Sequence, residues 1–489
     1  MLQSALSQNQ PTPTTTQIAQ DSVHEHTQNL ASTPYSGVTD LGKYCHQFQF
    51  PSDTCPRKLK YFLQKGGISI HLRSNYMQTI NQGPLLDYNT MAIGAGLGYT
   101  TPFWKGFRIG FSGFFVFQLF ENNIRKADPI TGAGNRYEIL LYDMNRIHNT
   151  HDLDRLEELY LSYQKKNFLL KIGRQKINTP LLNEQDNRMR PNIFSGILAE
   201  YRFFEWDIIA AFFNQATLRG TVDWYSIEES FGVYPFGRNP LGVAESYKNN
   251  TRTKGIALIG AKYHKKSKVY QWQLEGWNYL VENVFNTTFL QTELKIKTFE
   301  TAPVIGIQGF FQTPIQEGGN PNPSKAYILP NEKAWGIGGK IGITLGKGIF
   351  SMNYLRIGPQ GRFLFPREWG REVFFVSLPR ERLEGNADLY ALTLKYSSPL
   401  PIKNLFTELG ISQVNPPDIQ KVPLNKYGLP AYYHFLIQFQ YKFTSYLEGL
   451  NIRFLIVNKT AQKPKEIPDN FRINRVDMWH INLILDYLF

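Results

Sequence analysis

The chain has 489 residues, a formal net charge of +13 and a sequence pI of about 9.4. Aromatic residues make up 14% of it, yet its mean hydropathy is −0.34 and no stretch reaches the ~18 consecutive apolar residues of a transmembrane helix. This composition excludes a helical membrane protein. The basic residues are dispersed rather than gathered in one patch, which argues against nucleic-acid binding.

Residues 1–40 are rich in Thr, Gln, Ser and Pro and show no hydrophobic periodicity, which predicts a disordered lead-in. The first ten residues lack the basic start and the apolar core of a signal peptide. We therefore expect that the natural start differs, or that the chain is close to a mature form.

The segment 41–65 contains both cysteines of the chain, Cys45 and Cys55. Their closeness predicts a small disulfide loop in an oxidising compartment, with two unpaired thiols as the alternative. Two cysteines without clustered histidines do not form a zinc site, so we expect neither a metal nor a cofactor.

Strict alternation of apolar and polar residues begins at about Gly66 and recurs to the end of the chain. In the first stretch the apolar row is Ile68, Ile70 and Leu72, and the other row is Ser69, His71, Arg73 and Asn75. A period of two with one apolar row is typical of a β-strand that has one face in an apolar medium.

The last stretch, Met478–Leu488 followed by Phe489, has the clearest pattern. Its apolar row is Trp479, Ile481, Leu483, Leu485, Tyr487 and Phe489. The other row includes His480, Asn482 and Asp486. A chain that ends on an aromatic residue after such a strand is typical of a bacterial outer-membrane β-barrel.

The predicted fold is all-β: a transmembrane antiparallel β-barrel over residues 66–489, with 1–40 and 41–65 in the periplasm. A repeating unit of roughly 24 residues gives about 18 strands. Short turns such as 444–449 alternate with long connections such as 316–331 and 416–430, as in outer-membrane barrels. The alternative, a soluble β-sandwich or β-helix, would need the apolar rows to pack against another sheet.

Two segments interrupt the alternation and concentrate charge: Lys171–Pro191 and Phe365–Asp388. Polar residues of these segments, with Arg73 and Lys340 from inward rows, are candidates for lining a pore and binding substrate. The candidates are Arg73, Arg174, Gln175, Asp186, Arg188, Arg190, Lys340, Arg367, Arg371, Glu372, Arg380 and Arg382. The alternative is that the Arg and Glu residues of the second segment only tie an extracellular loop together.

At these segments the chain resembles the OprD family of outer-membrane porins, notably its Bacteroidetes-type branch. The resemblance is carried by G-R-Q…T-P-L-L…D-N-R-M-R-P in the first segment, and by P-R-E-W-G-R-E and R-E-R-L-E-G in the second. The runs H-L-R-S-N-Y-M from His71 and G-A-G-L-G-Y-T-T from Gly94 add to it, and the likeness spans 66–489. It implies an 18-stranded barrel, narrowed by inward-folded loops and lined by a ladder of Arg and Lys.

The function that this resemblance implies is facilitated diffusion of small, mainly carboxylate-bearing or zwitterionic solutes across the outer membrane. Arginine offers a dehydrated carboxylate bidentate, charge-assisted hydrogen bonds, and opposing acidic groups would hold an ammonium group. Two alternatives are a structural or adhesive barrel without an open channel, and a barrel enzyme acting on lipids. No G-x-S-x-G or similar motif marks a nucleophile, so we expect no enzyme activity.

The expected partners are the outer-membrane lipids, the transported solutes and the barrel-assembly machinery, which would recognise Phe489 by analogy with other barrels. The strand pattern is the same in monomeric and trimeric barrels, so it leaves the choice between a monomer and a homotrimer open.

Overall fold

The protein folds into a closed antiparallel β-barrel in the computed structural model, which describes residues 65–150, 152–298 and 301–489. The first strand begins at Gly67 and the last ends at Leu488. The predicted segments 1–40 and 41–65, with the predicted Cys45–Cys55 disulfide, lie outside the described residues except for Lys65.

The barrel wall has 18 strands, as predicted. Numbered in chain order, the strands of the sheet are β1 (Gly67–Asn81), β2 (Tyr88–Thr100), β3 (Phe107–Asn122), β4 (Arg155–Lys165), β5 (Phe168–Gln175), β6 (Ile193–Phe203), β7 (Trp206–Thr217), β8 (Trp224–Ser226), β9 (Ile256–Lys266), β10 (Tyr270–Val281), β11 (Phe285–Ile296), β12 (Pro303–Pro314), β13 (Ala334–Leu345), β14 (Gly348–Ile357), β15 (Tyr390–Pro399), β16 (Leu405–Asn415), β17 (Tyr432–Lys442), β18 (Leu450–Ala461) and β19 (Met478–Leu488). The three-residue β8 pairs antiparallel with only the last three residues of β7, whereas the preceding part of β7 pairs directly with β9. The wall therefore consists of the other 18 strands.

Backbone hydrogen bonds between the first and last strands close the barrel. The register of β1 and β19 runs from His71 opposite Leu488 to Asn81 opposite Met478. Beyond it, the backbone N–H of Ile70 donates to Phe489 at 2.7 Å, and that of Phe489 donates back at 3.0 Å. Closure gives every edge strand a partner, as a sheet inside hydrocarbon requires.

The apolar rows face outward and the polar rows face the lumen, as predicted from the alternation. In β19, Trp479 is 51% exposed, whereas His480 and Asn482 are fully buried. In β1, Leu72 is 41% exposed and Arg73 only 7%. Because successive side chains of a strand point to opposite faces, the outward rows form an apolar band suited to lipid.

The connections at one end of the barrel are short, and most of those at the other end are long. The short end has 101–106, 166–167, 204–205, 267–269, 297–302, 346–347, 400–404 and 443–449. Six connections of the long end are called loop A (123–154), loop B (176–192), loop C (218–255), loop D (358–389), loop E (416–431) and loop F (462–477). Long loops at one end and short turns at the other are the outer-membrane pattern.

Helical structure is limited to single turns in the described residues. The α-helical turns are α1 (Ile227–Ser230) and α2 (Asp469–Arg472), and the 3-10 turns are Glu138–Leu141, Val422–Leu424, Ser445–Leu447 and Pro464–Glu466. No helix in this part of the chain is long and apolar enough to cross a membrane.

An aromatic core holds loops C and D inside the barrel. The ring of Phe363 in loop D lies 4.2 Å from that of Phe310 on β12, and Trp369 of loop D lies 4.8 Å from Phe231 of loop C. These four side chains are at most 5% exposed and belong to one continuous apolar cluster. Loop D is therefore packed into the lumen as part of a core.

Candidate functional site

Loops A to F meet inside the barrel, beside β18, around a cavity of about 80 Å³, which we call the basic constriction. Among the described residues, its lining contains nine basic side chains and a single carboxylate, that of Glu381. The basic residues are Arg136, Arg188, Arg219, Arg367, Arg371, Arg380, Arg382, Lys459 and Arg475. The other lining residues are Tyr137, Leu140, Gln185, Asn187, Tyr234, Phe236, Tyr427 and Leu429.

Glu381 anchors loop D to the barrel wall. Its carboxylate accepts a hydrogen bond from the Tyr432 hydroxyl, lies 2.6 Å from His434 Nδ1 on the same strand β17, and lies 3.6 Å from Lys459 Nζ on β18. Burial would raise the pKa of this carboxyl group, but Lys459 and His434 outweigh that effect and lower the pKa to about 2. The anchor thus weakens only below the ordinary pKa of 4.5 and is lost as the pH falls through about 2.

Arg380, next to this anchor, has a left-handed backbone with φ +68°, which is uncommon for residues other than glycine, asparagine and aspartate. Lys459 Nζ donates to its carbonyl oxygen at 3.0 Å, and its guanidinium group donates to the side-chain oxygen of Asn482 on β19. These contacts support the strained backbone, and the Arg380 side chain lines the basic constriction.

Arg73 ties the barrel closure to loop B. Its Nη2 donates to Asp186 at 3.0 Å, its Nη1 to the carbonyl oxygen of Arg188 at 2.8 Å, and its Nε to Asp486 of β19 at 2.5 Å. With its three nitrogens engaged, Arg73 joins β1, β19 and loop B and lies outside the cavity lining. Asp186, which it neutralises, lies outside the lining too.

Two neighbouring arginines of loop B differ in their contacts. Arg190 is fully buried and donates to the carbonyl oxygens of Leu153 and Tyr142, both at 2.7 Å, which attaches loop A to loop B. Arg188 is 2% exposed, lines the basic constriction and donates to the backbone oxygen of Asn187 at 2.9 Å. Arg190 therefore positions the loops, whereas Arg188 contributes its charge to the cavity.

Gly370 lets loop D cross loop B at close range. Its φ is +155°, and a Cβ at this position would lie 2.6 Å from the carbonyl oxygen of Leu181. Beside it, Asn183 donates to the Arg371 carbonyl at 2.8 Å and accepts the Arg371 N–H at 3.1 Å. This crossing explains the W-G-R run of the sequence and fixes Arg371 at the cavity.

Of the twelve residues predicted from the sequence, five line the basic constriction: Arg188, Arg367, Arg371, Arg380 and Arg382. Arg367 pairs with Glu384 at 2.9 Å, and Arg382 lies 3.9 Å from Glu372. The predicted residue Glu372 is itself buried, accepting the backbone N–H of Leu383.

Arg174 is a correction to the sequence prediction. It shares the outward row of β5 with Ile172, and its guanidinium group lies 4.4 Å from the centre of the Trp224 ring. Period-two spacing from Ile172 already placed it outside, and its charge misled the prediction.

Lys340 and Gln175 do face inward, but the structure does not bring them to the cavity. Lys340 forms an ion pair with Glu293 at 2.8 Å on the lumen wall. Gln175 is fully buried and makes only long hydrogen bonds, 3.3 to 3.4 Å, to backbone oxygens such as that of Gly196.

The sequence argument missed half of the charged residues around the cavity: Arg136, Arg219, Glu381, Lys459 and Arg475. Arg136, Arg219 and Arg475 lie in loops A, C and F, where no pattern marks them. Two of the five could have been found. Glu381 lies between Arg380 and Arg382 in the charged segment Phe365–Asp388, and Lys459 shares the inward parity of Asn451 on β18.

The family model of the outer membrane porins of the OprD family matches residues 62–318, more than half of the chain. The chain belongs to the OprD family of outer membrane porins. This OprD-family protein is therefore an outer-membrane channel for facilitated diffusion, in contact with outer-membrane lipids and small solutes. The family assignment decides against the two alternatives, a barrel without an open channel and a lipid-modifying enzyme.

Several solved structures share this fold. OpdK of Pseudomonas aeruginosa, determined with vanillate, is 15% identical with a TM-score of 0.66, over 88% of this chain and 99% of OpdK. OccAB3 of Acinetobacter baumannii is 14% identical with a TM-score of 0.67, over 87% of this chain and 99% of OccAB3. OccK8 of Pseudomonas aeruginosa is 13% identical with a TM-score of 0.67, over 88% of this chain and 99% of OccK8. No curated protein sequence is similar enough to this chain to count as a relative.

Replacing Glu381 with Gln should loosen loop D, because it removes the charge that holds Lys459 and His434. Breaking such a buried ionic contact from one side costs about 3 kcal/mol. We expect faster amide hydrogen exchange in loop D and a noisier open-channel current. The control Glu466→Gln removes an ion pair with Lys463 that is about 70% exposed. It should change neither the hydrogen exchange of loop D nor the noise of the current. Unchanged exchange in loop D would show that the anchor lies elsewhere.

Channel selectivity should depend on pH near neutrality because of Glu368 in loop D. Burial raises the pKa of its carboxyl group to about 7, although it accepts the Tyr234 N–H at 3.0 Å. Its negative charge is therefore present above about pH 7 and lost below. Because Tyr234 lines the cavity, we expect anion preference to rise as the pH falls from 8 to 6, measured as reversal potential in a salt gradient. Glu368→Gln should show at every pH the reversal potential that the wild type has at low pH. A pH response that survives in this variant would contradict the assignment of the effect to Glu368.

Proposed function

We propose that this OprD-family porin passes small carboxylate-bearing or zwitterionic solutes through the basic constriction. The observation that carries the proposal is the excess of nine basic side chains over one carboxylate in the lining, with that carboxylate already bound to the wall. A carboxylate that enters a narrow pore loses water, and arginine replaces the lost hydrogen bonds with charge-assisted ones.

Pore-lining cations supplied by different loops favour passage over trapping. Arg136 comes from loop A, Arg188 from loop B, Arg219 from loop C and Arg380 from loop D, so a carboxylate meets several moderate sites. Multiple weak sites let a solute enter and leave, and a narrow basic passage concentrates anions by focusing the field.

The aromatic part of the lining would contact the carbon skeleton of a solute. Tyr137, Tyr234 and Tyr427 contribute rings and hydroxyl groups beside the guanidinium groups. The presence of vanillate, an aromatic carboxylate, with the similarly folded OpdK agrees with such a combination of rings and cations. Hydroxyl groups can also bond a zwitterion without adding charge.

We assign the predicted residues to different roles in this function. Arg188, Arg367, Arg371, Arg380 and Arg382 contact the solute. Arg73, Asp186, Arg190 and Glu372 position loops A, B and D, whereas Gln175 and Lys340 belong to the wall. Arg174 has no role in the pore, because it lies on the outward row.

Neutralising two pore-lining arginines should reduce anion selectivity. In the double variant Arg188→Gln and Arg380→Gln, the permeability ratio of chloride to potassium should fall by about tenfold, because two charges leave a narrow passage. The measurement is the reversal potential of single channels in a potassium chloride gradient.

The matched control is Arg252→Gln in loop C, whose side chain is 73% exposed and 4.0 Å from Glu228. This control should keep the wild-type reversal potential. A wild-type channel that prefers cations would refute the proposed basic pathway, and equal effects of the control and the double variant would refute the assigned residues.

We also propose that Phe489 is the residue read by the barrel-assembly machinery. It ends the outward row of β19, and its backbone completes the closing ladder with Ile70. Phe489→Ala keeps the backbone bonds but removes the ring, so it should lower the amount of folded barrel in the outer membrane several-fold. The readout is the heat-modifiable folded band after electrophoresis. Efficient refolding of the same variant in detergent would separate an assembly defect from lost stability, and normal membrane levels would count against the proposal.

A further inference from the structure

The charge balance of the basic constriction is more one-sided than a single carboxylate or a zwitterion requires. We propose that the constriction selects solutes that carry two or more negative charges, such as dicarboxylates, tricarboxylates or phosphate-type oxyanions, over monocarboxylates and zwitterions. This inference rests on the proposed function, because it names the substrate class of the same site.

The first observation is that most of the cavity cations have no ionic partner. Within the described part of the chain, only three of the nine lie within 4 Å of a carboxylate: Arg367 beside Glu384, Arg382 beside Glu372 and Lys459 beside Glu381. The other six are Arg136, Arg188, Arg219, Arg371, Arg380 and Arg475. Six uncompensated guanidinium groups around one small cavity leave a local charge that a solute must neutralise.

The hydrogen bonds of these arginines go to neutral oxygens. Arg219 donates to the side-chain oxygen of Asn187 at 2.6 Å, Arg371 donates to the Leu378 carbonyl at 3.1 Å, and Arg475 to that of Asn470 at 2.6 Å. Such acceptors fix the positions of the guanidinium groups without cancelling their charge. The cations are thus held in place while their positive charge remains available to a ligand.

Three of the arginines also keep buried donors unused. The Nε atoms of Arg188, Arg219 and Arg380 are buried and have no hydrogen-bond partner in the described structure. Arg188 is 2% exposed and Arg219 is 6% exposed, so bulk water does not compensate them. A buried donor without an acceptor is costly, and three of them in the lining of one cavity are donors that an oxyanion ligand could satisfy.

Repulsion between the arginines of the cavity also favours a polyvalent anion. Burial and then the nearby Arg188 lower the pKa of Arg219, and burial followed by Arg219 and Arg371 lowers the pKa of Arg380 to about 9. Arginine stays protonated at neutral pH despite such shifts, so the repulsion persists in the empty channel. An anion that bridges several of these groups relieves it, and a second negative charge relieves more than the first.

The same geometry disfavours a zwitterion. Its ammonium group needs a carboxylate, and the single carboxylate of the lining, Glu381, already contacts Tyr432, His434 and Lys459. A monocarboxylate binds one arginine in bidentate fashion and leaves the others uncompensated. A solute with carboxylates at both ends can engage cations from two loops at once, for example Arg188 of loop B and Arg219 of loop C.

The test measures how solutes of increasing charge block the chloride current of the full-length channel in planar bilayers at constant ionic strength. Sodium acetate, glycine, succinate and citrate form the series, and inorganic phosphate at pH 8 supplies a divalent anion without carboxylates. We expect the half-blocking concentration of succinate and citrate to be about tenfold lower than that of acetate, with glycine weakest. Block by phosphate at the concentration of succinate assigns the site to oxyanions in general, and weaker block by phosphate restricts it to polycarboxylates.

The variant Arg219→Gln separates local recognition from the overall positive field of the pore. It should raise the half-blocking concentration of succinate by more than that of acetate, and so narrow the gap between the two, because Arg219 would engage the second charge. The control Arg252→Gln should keep the wild-type difference between the half-blocking concentrations of succinate and acetate. Since the wild-type series alone already tests the charge rule, a variant that fails to fold does not remove the test.

The outcomes distinguish this inference from the proposed function. Equal block by acetate and succinate in an anion-selective channel overturns the preference for polyvalent anions and leaves the proposed function standing. Stronger block by glycine than by succinate also overturns it. A gap that Arg219→Gln leaves intact overturns the assignment to the constriction, and a cation-selective wild-type channel overturns both proposals.

Discussion

Pairing of β1 with β19 is the constraint on which the rest of the molecule depends. A sheet edge inside hydrocarbon leaves backbone donors and acceptors without water or partners, so the chain must close on itself. Closure sets one inside and one outside for all 18 strands, which is why each strand repeats the same two rows. It also brings Arg73 of β1 beside Asp486 of β19, and this pair, together with Asp186, joins the closure to loop B.

Loop D narrows the enclosed space because two unlike interactions hold it. On the side of β10 to β12, Phe363 and Trp369 pack into an aromatic core, although barrel interiors are usually polar. On the side of β17 to β19, Glu381 and Arg380 bind polar groups of the wall. The apolar contacts give the loop its stability and the polar contacts give its tip a defined position. A fixed tip keeps the guanidinium groups of loop D in place around the cavity.

The sequence predicted the barrel, the strand count and the inward and outward rows, because period-two alternation is a local property of each strand. It also identified two charged segments, which the structure shows as loops B and D. It did not separate Arg188, which lines the cavity, from Arg190, two residues away, whose donors are used by loop A. For Arg174 the prediction followed the charge, although period-two spacing from Ile172 indicates the outward row. Arg219 and Arg475 carry no sequence signal, since they lie in loops without periodicity.

The sequence by itself determined the barrel, since alternation and aromatic content are readable without any long-range contact. Only the tertiary structure decided which cations of the cavity lie beside a carboxylate and which do not. Arg73 meets Asp486 across 413 positions of the chain, and Arg380 meets Asn482 across 102. Such pairings depend on how the loops fold back into the closed barrel. The positive charge around the cavity is what these distant contacts leave uncompensated, and no local pattern contains that information.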